Sequence, residues 1–90
     1  MTVEEACKVV AKMGYKYLSK VSVTPSVILV VPLGNAGEEL DGDWYAFNRQ
    51  TGEEIPYGLD DMIVNESVEQ IYDPPEQYKY KRKIRRLWHK

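Results

Sequence analysis

Val3, Ala6, Cys7, Val10 and Ala11 fall at i, i+3, i+4, i+7 and i+8, one face of a helix with its period of about 3.6 residues. Thr2 stands three residues before Glu5, the spacing at which a hydroxyl and a carboxylate cap each other's backbone amides. Gly14 follows the last apolar position, where a left-handed residue ends many helices. The pattern predicts a helix over about residues 3–13.

From Tyr15 the period changes to two. Tyr15, Tyr17, Val21 and Val23 share one side of a predicted strand, with Lys16, Lys20, Ser22 and Thr24 on the other; Leu18 and Ser19 interrupt the alternation. Thr24-Pro25-Ser26 reads as a turn or an edge kink, because proline withdraws a ladder donor. Val27-Ile28-Leu29-Val30-Val31 is β-branched and apolar on both sides, as expected of a central strand covered on both faces. Pro32 is expected to end it. Gly34 to Asp43 reads as a polar loop with three glycines and four acids. Trp44-Tyr45-Ala46-Phe47 is a third strand, and Asn48 to Gly52 a turn into Glu53-Glu54-Ile55.

Residues 59–72 fit two periods. Met62-Ile63-Val64 resembles a strand, whereas Val64, Val68, Ile71 and Tyr72 also sit at helical spacing; short strands are the preferred reading. Asp73-Pro74-Pro75-Glu76 is a helix-start pattern, with prolines suited to a first turn and acids to cap and charge it. The helix it predicts carries Tyr80, Ile84, Leu87 and Trp88 on one stripe and cations around the rest.

The Thr2-Val3-Glu4-Glu5-Ala6 helix start and the strand followed by Thr51-Gly52-Glu53 together give residues 2–55 a form that resembles PepSY-type modules. That resemblance implies a non-catalytic, protein-binding domain and transfers no site residues.

Charge changes the picture more than composition does. Residues 1–78 hold five Lys/Arg against fourteen Asp/Glu, about −9, while residues 79–90 hold seven cations and no acid, +7. A net charge of −2 therefore hides an acidic body and a basic terminus, and location sets the field that partners meet. The basic residues Lys79, Lys81, Arg82, Lys83, Arg85 and Arg86, with Trp88 to stack on bases, form a candidate nucleic-acid-binding segment. A basic amphipathic helix on an anionic membrane is a third reading, ranked lower. The plain alternative is a segment docked through Ile84, Leu87 and Trp88 onto the acidic body of its own or a neighbouring molecule, which leaves a homo-oligomer open.

Chemistry-bearing constellations are sparse. The single cysteine, Cys7, lies on the apolar helix face, and the single histidine, His89, at the other end of the chain, so no zinc spacing exists. Asp41-Gly42-Asp43 lacks the ladder of a calcium loop, Asp60-Asp61 has no shaped surroundings, and no phosphate-binding or nucleophile motif is present. No cofactor is expected. One cysteine and no visible leader point to a reducing, cytoplasmic setting, and no apolar run approaches the ~20 residues of a membrane span.

The expected fold is thus α+β: an amino-terminal helix on a mostly antiparallel sheet of three to five strands. Residues 1–73 are expected to form the compact domain and residues 74–90 a basic helix or tail. The expected function is that of a small non-enzymatic protein-binding domain with Trp44, Tyr45, Phe47 and Tyr57 as candidate partner contacts. The alternative is a nucleic-acid-binding accessory protein working through residues 79–90.

Overall fold

The computed structural model describes residues 1–40, 44–55 and 67–81. Helix α1 spans Val3–Lys12. Thr2 Oγ1 accepts from the Glu5 amide at 3.1 Å while Glu5 Oε1 accepts from the Thr2 amide at 2.7 Å, so both orphan donors are satisfied reciprocally. The backbone bond from Thr2, then its hydroxyl, hold the Glu5 carboxyl below its ordinary value. Gly14, at φ 115°, follows the Met13 cap and turns the chain out of the helix.

Among the described residues five antiparallel strands follow: β1 Tyr17–Val23, β2 Val27–Leu33, β3 Tyr45–Asn48, β4 Glu54–Ile55 and β5 Gln70–Tyr72, in the spatial order β4-β3-β2-β1-β5. The α+β arrangement of one helix on an antiparallel sheet is as the periodicity predicts. The described part of residues 59–72 ends as a strand, at β5, rather than a helix.

The alternation of β1 is corrected by a bulge. Leu18 pairs with Pro32 and Lys20 with Val31, so Ser19 is left without a partner in the register. One extra residue reverses the side to which everything beyond it points. Leu18 therefore joins Val21 and Val23 beneath α1, and Tyr17 turns to the opposite face instead of sharing theirs. Ala6, Cys7 and Val10 of α1 meet Leu18, Val21, Val23, Ile28, Val30 and Phe47 in one core, each no more than 5% exposed.

Nor does Pro32 end β2, which continues to Leu33. Among the described residues the ladder to β3 reaches only Val30, so the proline lies beyond those pairs, at a position where its missing donor is tolerated. The second face of β2 is covered less than its apolar run suggests: Ile28, Val30 and Pro32 are buried on the first face, whereas on the second Val27 is buried but Leu29, Val31 and Leu33 only half-buried.

Two polar turns join the central strands. At the first, Thr24 donates its amide to the Val27 carbonyl at 2.9 Å and its Oγ1 accepts from the Val27 amide at 3.0 Å, so a buried hydroxyl is satisfied. At the second, Asn48 Oδ1 accepts from the Gln50 and Thr51 amides at 2.9 and 3.0 Å. Gly52 closes that turn at φ 79°, a conformation that suits glycine.

Candidate functional site

The aromatic strand is largely absorbed by the fold. Tyr45 and Phe47 lie on the α1 side of β3, and Phe47 is 1% exposed within the core. This corrects its assignment as a partner contact, since a side chain enclosed on all sides presents nothing to a second molecule. Tyr45 is half-buried against the core, and its hydroxyl lies 2.8 Å from that of Tyr15, the rings tilted at 60° with centroids 5.7 Å apart. Trp44, on the other side, is half-buried. Tyr57 lies outside the described residues.

The predicted carboxy-terminal helix does not begin as one. Glu76–Tyr78 form a single 3-10 turn with Pro75 at its cap and no side-chain cap, and Lys79 is already extended at φ −78°, ψ 132°. Asp73 and Glu76 instead take the first cations of the basic segment. Lys79 Nζ lies 3.8 Å from Asp73 and 3.5 Å from Glu76, and Lys81 Nζ 2.9 Å from Glu76. The hydrogen bond from Lys81, then the charges of Lys81 and Lys79, lower the Glu76 pKa. Both described cations of the segment are thus neutralised within the chain. Arg82, Lys83, Arg85, Arg86 and Trp88 lie outside the described residues, as do His89, Asp41, Asp43 and the Asp60-Asp61 pair.

Tyr80 fastens this segment. Its ring meets Tyr17 edge-on at 85°, centroids 5.0 Å apart, and occupies the space where a β-carbon on Gly37 would stand. Gly37 has φ 81°, so both the backbone and the ring above it require glycine there. Residues 73–80 thereby flank the part of β1 that β5 leaves unpaired, over a shallow groove lined by Leu18, Ser19, Leu33, Pro74 and Tyr80.

A feature the sequence reading passed over is the β5 edge. Every residue from Ser67 to Asp73 is exposed, and the run includes Val68 at 53%, Ile71 at 60% and Tyr72 at 38%. The preference for short strands over residues 59–72 agrees with β5; what local sequence does not convey is that this strand stands at the edge of the sheet with its side chains exposed. Arg49 was also missed. It is the sole cation between residues 21 and 78, and it ties three segments together. Its Nη1 donates to the Thr24 carbonyl and to Glu69 Oε1, both at 2.9 Å, its amide donates to Ser26, and its carbonyl accepts from the Met1 ammonium.

Cys7 is fully enclosed, and burial, then the charge of Glu4, push its thiol up to about 11. That is the reverse of an activated nucleophile. Among the described residues no group of three or more His, Cys, Asp or Glu side chains is placed to hold a metal ion, and no helix is long and apolar enough to cross a membrane. Comparison with known proteins finds no matching family model, no matching curated protein and no matching solved structure.

Proposed function

We propose that the protein is a small non-catalytic binding module that engages another polypeptide along the β5 edge. The observation that carries this reading is the exposed run Ser67–Asp73, with Ile71 the most exposed of its large apolar residues. An edge strand offers unpaired backbone donors and acceptors, and an exposed apolar side chain in its centre supplies a pocket contact; extended peptides are captured this way. The resemblance of residues 2–55 to PepSY-type modules points in the same direction. Affinity capture with the intact chain tests it. A protein retained by the wild type and by Val9→Glu, a control on the exposed side of α1, is expected to be lost with Ile71→Glu. A wild-type chain that retains no protein counts against the reading.

The seven cations of residues 79–90 support a second reading, nucleic-acid binding. It predicts affinity that falls steeply with salt and vanishes on truncation after Tyr78. Retention of a nucleic-acid mobility shift by the truncated chain removes it.

A further inference from the structure

We propose that the β5 edge receives residues 82–86 of a second copy of this chain, added as a strand beside Gln70–Tyr72. The proposal rests on the reading of β5 as a binding edge and names its occupant. β5 pairs with β1 through Tyr72, Ile71 and Gln70, and the Glu69 amide extends the ladder to the Val23 carbonyl at 2.7 Å. Among the described residues no strand pairs with its outer side. Ile71 stands opposite Ser22, on the face away from α1. By strand alternation Glu69 and Asp73 flank it on that same face. The edge therefore reads acid, apolar, acid at alternate positions.

That pattern selects its occupant. Two β5 strands paired antiparallel about Ile71 would set Glu69 of each copy against Asp73 of the other, and like charges directly opposite are unfavourable. A complementary strand needs cation, apolar, cation at the same spacing. The chain contains one at Arg82-Lys83-Ile84-Arg85-Arg86, with Ile84 flanked two residues away by Arg82 and Arg86. With Ile84 opposite Ile71, both arginines meet acids in either strand direction. The acids remain open to them: the Glu69 and Asp73 side chains are 51% and 85% exposed despite their contacts with Arg49 and Lys79. The attachment point favours exchange over fold-back. Tyr80 is held against Tyr17, whereas β5 pairs with the other end of β1, at Val21–Val23. The four residues from Tyr80 to Ile84 reach about 14 Å at full extension. Within that length they would have to return along β1 and step outward past β5.

Light scattering on the full chain tests the proposal. At low ionic strength the mass is expected to rise with concentration from 10.4 kDa towards twice that value or more, and to return to one chain near about 1 M salt, where the Debye length is about 3 Å. Reversal of the edge (Glu69→Arg with Asp73→Arg) and reversal of the segment (Arg82→Glu with Arg86→Glu) should each give a monomer. An equimolar mixture of the two variants should associate again, because each edge then finds an opposite segment. Asp73→Arg alone, at a highly exposed position, is the variant to use if the double edge reversal unfolds. A wild type that stays monomeric at every concentration overturns the proposal, as does association that survives edge reversal or a mixture that fails to recover it. A wild type that captures a different protein through Ile71 yet remains monomeric overturns only the self-exchange and leaves the binding edge standing.

Discussion

Helix α1 and the segment Asp73–Lys81 both lie along the β1–β2 hairpin, yet different forces hold them. α1 places Ala6, Cys7 and Val10 at zero exposure, so it is fixed by apolar burial, which the screening of charges by salt does not weaken. In the carboxy-terminal segment only Pro74 is buried. Its other contacts are Tyr78, half-buried against the edge of the core, the Tyr80 ring over Gly37, and ion pairs whose acids are more than two-thirds exposed, and such pairs are worth about 0–1 kcal/mol each. One element is held by a fully enclosed apolar face; the other rests on one buried proline, two partly buried rings and exposed ion pairs.

The sharpest way to break this contrast is at the core. Phe47→Ala should cost about 3–5 kcal/mol, read by urea denaturation, because the ring is enclosed between sheet and helix. A loss below about 1 kcal/mol would mean that α1 is held by something other than this core. A second test uses the buried thiol. The folded pKa of Cys7, about 11, lies above its ordinary value of 9.0, so the folded state keeps a proton that the unfolded chain releases. Its contribution is full below about pH 9 and disappears as pH rises towards 11, a decline on the order of 2 kcal/mol. Denaturation midpoints of wild type and Cys7→Ala should converge across that window, and parallel midpoints would refute an enclosed thiol. The smallest effect belongs to the fastening. Gly37→Ala should cost about 1–2 kcal/mol from its left-handed backbone and displace the Tyr80 ring. Amide exchange at Lys79, which donates to the Glu76 carbonyl, should then quicken more than exchange at Val10 or Val21. Equal acceleration at all three would show the segment to be as integral as α1.

The difference in force also explains what was legible in advance. α1 was, because a capping pair and a 3.6-residue apolar face are local properties of residues 2–11. So were the two turns: Thr24-Pro25-Ser26 and Asn48 to Gly52 carry their own hydrogen-bonding side chains. The aromatic strand was half legible. Its alternation separated Tyr45 and Phe47 from Trp44 and Ala46, but nothing local said that the pair containing Phe47 would face α1 and be lost to any partner. The 3-10 turn at Glu76–Tyr78 went unseen because Pro74-Pro75 suits an α-helix start equally well, and nothing local says that the chain becomes extended again at Lys79.

Amino-acid order alone settled the class of fold, the bounds of α1 and the places where the chain turns, since each follows from contacts within a few residues. Tertiary structure decided the bulge at Ser19, the seat of Tyr80 on Gly37, the clamp made by Arg49 and the exposure of β5. Each of those depends on pairing between segments far apart in the chain, where the side a residue faces is set by what arrives beside it.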